Sequence, residues 1–482
     1  MAFYLGIDIG TSAIKAILLD AEQHQHGVVS VPLTVSRPHE GWSEQNPEDW
    51  WHGVDQAIST LAQDHPEKLA QLRGIGLAGQ MHGLVALDSH DQPLRSAILW
   101  NDTRASHEAS WLDQTYPEFR TIGGNMVMAG FTAPKAVWMA RHEPNLFAEI
   151  KTILLPKDYI RFRLTGQKIS DMSDASGTLW LDIAKRRWSE ELLDRCGLTM
   201  DQMPQLVEGS DPSARLSPDL AKRWGIKGEV IIAGGAGDNA AAAIGLGLKH
   251  PQERFVSLGT SGVVFNVTNQ FTERADKAVH AFCHALPKTW HQMGVILSAT
   301  DSLAWLTEVT AQPLDALLAQ MKKADEHKTW PLFHPYLSGE RTPHNNPEAR
   351  GGFFGLSRAD DGGDLARAVM QGVAFAIADA MAVLDDKGGS SDMIATGGGA
   401  KNDYWLRLIA SVTNTPIAVP QSADIGAALG AGRLAMLADG HALDVVCIKP
   451  PLSHRIMPDP ALANAMKPAR QQSQRLYALM TG

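Results

Sequence analysis

Tyr4-Leu5-Gly6-Ile7-Asp8-Ile9-Gly10-Thr11-Ser12 is an apolar run that closes on a glycine-hydroxyl turn, and Phe255-Val256-Ser257-Leu258-Gly259-Thr260-Ser261-Gly262 closes in the same way. Aligning the two turns sets Asp8 opposite Ser257, 249 residues further along a chain of 482. A repeat with so long a period suggests two related domains facing one cleft, each offering it a loop. Glycine lets the backbone approach a ligand, and hydroxyls and N–H groups can cradle phosphate oxygens. A single Gly-Thr-Ser triplet is ordinary turn chemistry. Its recurrence halfway along the chain is what gives it weight.

Around the first turn, Tyr4 to Ile9, Ile14 to Leu19 and Val28 to Leu33 read as the strands of a meander. Pro47 to Gln63 is predicted to be a helix covering one sheet face, with proline early and Trp50, Val54, Ile58 and Leu61 at helical spacing. Leu72 to Ala78 reads as a strand ending at Gly79-Gln80-Met81-His82-Gly83, with further strands at Leu84 to Leu87 and Ser96 to Asn101 and a polar helix beginning at Asp102. Polar groups between glycines at a strand end are placed to line a pocket. Taken alone, His82 is more often a structural histidine. Gly130 to Trp138 mixes a turn with a helix start, and Lys135 within it is expected to be a solvated surface residue rather than a phosphate contact.

At the midpoint, Val230 to Ala233 reads as a buried strand, Gly234-Gly235-Ala236-Gly237 as a turn, and Asp238-Asn239 followed by four alanines as the start of a helix. Unpaired N–H groups and a partial positive charge at that helix end are expected to keep Asp238 ionised, ready to accept a proton or bind Mg²⁺. We read Asp238 as the catalytic base; the plainer alternative is an N-cap. Glu208 to Lys227 shows no clear periodicity apart from a short helix at Asp219 to Trp224. Further on come a strand at Trp290 to Leu297, a helix at Thr300 to Val309, a loop around Gly339-Glu340-Arg341 and a long helix from Asp364 to Leu384. A strand at Met393 to Thr396 then leads into Gly397-Gly398-Gly399-Ala400 and a helix from Asn402, with an alanine-rich helix at Asp424 to Leu437. Strand, glycine turn and helix in that order can admit a nucleotide close to backbone.

The length exceeds one ordinary core, and we expect two domains, 1–245 and 246–482. Apolar content of 44% and charged content of 20% are those of a globular protein. A net charge of −10 leaves no footprint for nucleic acid or an anionic membrane surface, so the expected partners are small molecules. No apolar run approaches the roughly eighteen residues of a membrane helix, and Asp8 interrupts the first apolar segment, so a cytoplasmic location is expected. Cys196, Cys283 and Cys447 are too few and too scattered for a disulfide framework. His280, Cys283 and His284 are read as packing rather than a metal site. A homodimer is left open.

Taken together, these motifs resemble the FGGY family of carbohydrate kinases along essentially the whole chain. Gly130 to His142 looks like one family signature, and Gly351-Gly352-Phe353-Phe354-Gly355-Leu356 with Asp364-Leu365-Ala366-Arg367-Ala368-Val369-Met370-Gln371 looks like the other. Within the family, Gln80-Met81-His82-Gly83 and Gly237-Asp238-Asn239-Ala240 resemble the members that phosphorylate D-xylulose rather than glycerol. The resemblance implies an α/β, actin-like ATPase fold, two ribonuclease-H-like domains around a cleft holding ATP, Mg²⁺ and the sugar. It implies Asp238 as the proton acceptor, and Met81, His82, Asp238 and Asn239 as sugar contacts. Asp8 and Asp238 would serve Mg²⁺. Gly10, Thr11 and Ser12 would form one phosphate loop and Gly259, Thr260 and Ser261 the other, with Gly398, Gly399, Ala400 and Asn402 at the adenosine. A kinase for another ketose or polyol, or an actin-like ATPase without sugar kinase activity, are the alternatives.

Overall fold

Strand β1 (Phe3–Ile9) turns at Gly10, whose N–H donates to the Ala13 carbonyl at 3.1 Å, and returns as β2 (Ala13–Asp20). The computed structural model describes residues 2–321, 330–385, 391–421 and 426–481. β3 (Gln25–Pro32) completes the meander, and β4 (Leu72–Gly79) joins β1 in parallel. β5 (Pro212–Arg215), β6 (Ile231–Ala233) and the short β7 (Ala236–Gly237) finish a sheet of order β5-β6-β4-β1-β2-β3, with β7 also on β4. Its apolar side chains meet helix α1 (Pro47–Asp64), which buries Trp50, Val54, Ile58 and Leu61 as their spacing required.

The second half repeats this plan. β8 (Arg254–Leu258) and β9 (Gly262–Thr268) form a hairpin, followed by β10 (His280–Cys283), β11 (Trp290–Ile296), β12 (Met393–Thr396), β13 (Ile417–Pro420) and β14 (Leu452–Ile456). Their order is β10-β11-β9-β8-β12-β13-β14. In both sheets a strand before the glycine-hydroxyl turn pairs antiparallel with its successor and parallel with a later strand. In both, that later strand pairs parallel with another, beyond which lies an antiparallel edge. The repeat seen in two short motifs is thus a repeat of topology.

The unperiodic stretch Glu208 to Lys227 contains β5, which sequence reading missed. It is a half-exposed edge strand beginning at Pro212, so it carries neither an apolar run nor a free N–H at its start. His280 and Cys283, expected to be packing residues, lie in β10, a four-residue strand with every residue buried that is too short to show a period of its own.

Three helices besides α1 shape the middle of the first half: α2 (Thr132–His142), α3 (Pro156–Thr165) and α4 (Met172–Ser176). Three more matter for the centre and the second half: α5 (Asp238–Gly245), α6 (Gly362–Ala382) and α7 (Asp403–Thr413). α6 is long and apolar enough to cross a membrane by length and composition, contrary to the expectation that no run reaches that length; 83% of its most apolar window is buried inside the protein.

Helix α8 (Ala427–Ala438) comes from the second half of the chain but packs on the first sheet, across β1 and β4. The expected helix start at Asp424 lies outside the described residues. Small residues make the contact: a Cβ on Gly6 would stand 2.0 Å from the Ala428 carbonyl oxygen, and one on Gly76 would stand 1.8 Å from that of Ala431. α5 lies against the same helix, and a Cβ on Gly430 would strike the Ala241 carbonyl at 1.7 Å.

Candidate active site

Ile9, Gly79 and Gly237 form one row across β1, β4 and β7. Asp8 stands one residue before that row, Gln80-Met81-His82 leave it on one strand, and Asp238 leaves it on another. Three separated motifs therefore converge at the carboxyl ends of neighbouring strands, a common place for ligands in α/β sheets.

Asp238 is the first residue of α5, and its Oδ1 accepts from the Asn239 N–H at 2.6 Å and the Asn239 side-chain amide at 2.9 Å. Asn239 thus orients the carboxylate. The expectation that the helix end keeps Asp238 readily ionised is outweighed: burial raises its pKa, and the two Asn239 bonds only oppose that rise. Asp8 is pushed up to about 7, first by burial and then by the Asp238 charge, with Lys15 pulling the other way. Asp8 Oδ1 is buried with no hydrogen-bond partner among the described residues. Two neighbouring carboxylates that resist joint ionisation, one with an orphaned oxygen, are a donor set suited to a hard divalent cation.

His82 has left-handed backbone (φ 70°), a costly conformation away from glycine. Its carbonyl accepts from Lys135 Nζ at 2.9 Å and Thr132 Oγ1 at 3.1 Å, and its Nδ1 lies 2.7 Å from the Gly177 carbonyl. That acceptor places the proton on Nδ1 and leaves Nε2 as an acceptor. Burial pulls the imidazole down to about 3, so it is neutral. Met81 is buried against Gly237, where a Cβ would meet its Cγ at 2.8 Å, and a Cβ on Gly177 would meet His82 Nδ1 at 2.6 Å.

Lys135 is a correction. It is fully buried rather than solvated, and its ammonium is consumed by the carbonyls of His82 and Gly130, the latter at 2.8 Å. Burial lowers its pKa well below the ordinary lysine value. Its sequence neighbourhood carried no sign of this, because one of the two carbonyls it serves, that of His82, lies 53 residues upstream.

Of the first glycine-hydroxyl turn, Thr11 is tied into the protein. Its Oγ1 donates to Gln80 Oε1 and accepts from Trp100 Nε1, both at 3.0 Å, while Ser12 is exposed. Thr260 and Ser261 of the second turn are exposed, and the Gly259 carbonyl accepts from Thr300 N and Thr300 Oγ1. The glycine turn after β12 adjoins it: Gly397 (φ 85°) packs so closely that a Cβ would stand 2.7 Å from the Leu258 carbonyl oxygen. Gly398 is exposed and, its chain neighbours aside, no described residue lies within 4 Å of its Cβ position; Gly399 and Ala400 are buried, and Asn402 caps α7 by accepting from Trp405 N at 3.0 Å. Two clusters result. One is rich in side chains around Asp8, His82 and Asp238, and the other joins the exposed Thr260-Ser261 turn to the glycine backbone at 397–400.

Residues 3–245 match the family model for the FGGY carbohydrate kinase N-terminal domain and residues 255–438 that for the C-terminal domain. The chain is 46% identical to a xylulose kinase of Escherichia coli strain K12 over 98% of each chain. It is 36% identical to a xylulose kinase of Bacillus subtilis strain 168 over 91% of this chain and 89% of the relative. A solved "xyloylose kinase" of Brucella ovis superposes with a TM-score of 0.97 at 48% identity, covering 99% of both chains. A solved ligand-bound xylulose kinase of Lactobacillus acidophilus gives 0.94 at 25% identity over 100% of this chain and 99% of the other. The architecture is the α/β, actin-like one. With both domain models matched in order and relatives aligned nearly end to end, this chain belongs to the FGGY family of carbohydrate kinases.

Proposed function

We propose that the protein is a xylulokinase that transfers the γ-phosphoryl group of ATP to D-xylulose, giving D-xylulose 5-phosphate and ADP. The observation that carries this reading is the convergence of Asp8, Met81-His82 and Asp238-Asn239 on one row of three strands, in a chain 46% identical over 98% of its length to a xylulose kinase. The sugar hydroxyl attacks phosphorus, the bond from the γ-phosphorus to the ADP oxygen breaks, and the hydroxyl proton passes to the Asp238 carboxylate. Asn239 holds that carboxylate in one orientation. His82, neutral and with Nε2 unprotonated, accepts from a sugar hydroxyl while Met81 bounds the pocket.

Asp8 and Asp238 would hold Mg²⁺, and the orphaned Asp8 Oδ1 supports that assignment. The ion would neutralise charge on the transferring phosphates. The turns Gly10-Thr11-Ser12 and Gly259-Thr260-Ser261 receive the phosphate oxygens, the first through Thr11 and Ser12 because the Gly10 N–H already donates to the Ala13 carbonyl, and Gly398-Gly399-Ala400 with Asn402 receives the adenosine. Positioning and charge neutralisation suffice for phosphoryl transfer, so this set needs no covalent helper. The halves are taken as 1–245 and 246–482, joined by the crossing of α8. A cytoplasmic location is part of the proposal, supported by three free buried cysteines. Coupled ADP release measured against a panel of ketoses and polyols, with and without Mg²⁺, tests it. D-Xylulose should give the highest kcat/KM, and equal ADP release without any sugar would favour an ATPase instead.

A further inference from the structure

Gly234, Gly235 and Gly237 make the segment leading to Asp238 intrinsically loose, and Gly235 adopts left-handed backbone (φ 77°). The segment is nonetheless held at both ends by buried side chains. Arg161 donates to the carbonyls of Ala233, at 2.5 Å, and Gly234. Ser173 Oγ accepts from the Gly237 N–H at 3.2 Å and donates to Asp171 Oδ2 at 2.5 Å. Asp171 Oδ1 in turn lies 2.7 Å from Lys157 Nζ, which also contacts Asp158 at 2.5 Å and Asp174 at 3.3 Å. All of these residues, Arg161 and Ser173 included, have no exposed surface.

Three carboxylates and two cations in a dry interior are a poor investment in stability, because desolvation cancels most of their attraction and apolar packing would serve as well. The carboxylate oxygens lie within 4.8 Å of one another, as a metal site would require, but the Lys157 ammonium contacts all three acids. Burial raises Asp174 well above an ordinary carboxyl, against the pull of the Lys157 charge. What the network does supply is a fixed place for the amide immediately before Asp238.

We propose that Lys157, Asp171 and Ser173 are positioning residues for phosphoryl transfer. Lys157 fixes Asp171, Asp171 fixes the Ser173 hydroxyl, and that hydroxyl fixes the Gly237 amide and hence the direction of the Asp238 carboxylate. The proposal rests on Asp238 being the base. Its test therefore includes a measurement that needs no turnover.

The full chain is compared with Ser173→Ala and Ser173→Thr by amide hydrogen exchange over Gly234–Asn239 and by steady-state kinetics. In Ser173→Ala the Gly237 amide should exchange at least about tenfold faster, with other β-sheet amides unchanged. Turnover should fall about 10–100-fold while KM for ketose and ATP stays within about threefold, the mark of misplacement rather than lost binding. Ser173→Thr, which keeps the hydroxyl, should recover most of both. If Ser173→Ala shows no cooperative unfolding, Ser173→Cys replaces it with the same thresholds. Gly237 exchange equal to the parent's, or kcat within twofold of it, overturns the proposal. A parent that phosphorylates no ketose or polyol overturns the functional reading alone, since the exchange comparison still judges the network.

Discussion

The two sheets share one topology and use it in opposite ways. In the first, the strand before the glycine-hydroxyl turn carries Asp8 between Lys15 and Ala78; in the second, the matching position is Ser257, between Val263 and Thr396. The parallel neighbour ends in Gly79-Gln80-Met81-His82 in one half and in Gly397-Gly398-Gly399-Ala400 in the other. The first half thus presents side chains and charge at its strand ends, while the second strips them away and leaves backbone. A duplicated scaffold thus carries charged and polar side chains at one set of strand ends and a close-packed glycine turn at the other. Fold alone could not have revealed this division, because it resides in a few side chains at equivalent turns.

If the first half carries the chemistry, the largest effect should come from Asp238→Asn. The amide can still accept from the Asn239 N–H, so the variant should fold and bind both substrates, yet it cannot take the sugar's proton. Turnover should fall about 10²–10⁴-fold with KM little changed, read by coupled ADP release beside thermal unfolding. Turnover near the parent's in the folded variant would remove Asp238 from the chemistry. A smaller effect is expected from His82→Ala, which leaves a buried sugar hydroxyl unpaired at about 1–3 kcal/mol. That corresponds to a rise in ketose KM between about fivefold and a hundredfold, with the KM for ATP unmoved. A parallel loss of ATP affinity would erase the contrast between the halves.

Gly398→Ala probes the bare side of the comparison. Its two chain neighbours aside, no atom of the described residues lies within 4 Å of the added methyl, so stability should hold, whereas a nucleotide packed on that backbone would be displaced. We expect the KM for ATP to rise about tenfold, the scale of a local overpacking, with ketose KM unaffected. Unchanged ATP kinetics would move the adenosine elsewhere. Gly399→Ala is the contrasting control, because its methyl would meet Leu258 Cβ at 2.8 Å and its effect should be on stability.

What could be seen in the sequence was local. The duplicated turn, the strand-turn-helix at Asp238, the apolar face of α1 and the long helix α6 depend on the order of residues within short stretches, and the structure contains each of them. What could not be seen depended on distant partners. Lys135 reads as surface until the His82 carbonyl arrives from 53 residues away. Lys157 and Asp171 are ordinary charges until burial makes them a network beneath Gly237. The passage of α8 onto the first sheet left a trace in Gly6 and Gly76 and in the small residues Ala428, Ala431 and Gly432, but glycine within a strand also marks bulges. Helix-end electrostatics suggested a readily ionised Asp238, and only the observed burial showed that desolvation prevails.

A last expected effect, read in stability and not in turnover, concerns the charge that distinguishes Asp8 from Ser257. In the substrate-free protein Asp8 is raised from its ordinary value of 3.8 to about 7, so the folded state holds this proton more tightly than the unfolded chain does. Below about pH 4 both states are protonated and the full contribution is present. As pH rises towards 7 the unfolded chain has already released its proton and the folded state has not, so this contribution to stability declines, levelling off once the folded group ionises. Asp8→Asn lacks the titration. The parent should therefore lose stability relative to Asp8→Asn between pH 5 and pH 7.5, measured as the difference in denaturation midpoint between the two proteins at each pH. Mg²⁺ favours the ionised carboxylate, so added Mg²⁺ with a non-hydrolysable ATP analogue should shrink that loss in the parent and leave the pH dependence of Asp8→Asn unmoved. A difference that stays constant across the range would show that Asp8 ionises normally. The first half would then owe its distinction to Asp238 and His82, and not to a paired carboxylate that requires a cation.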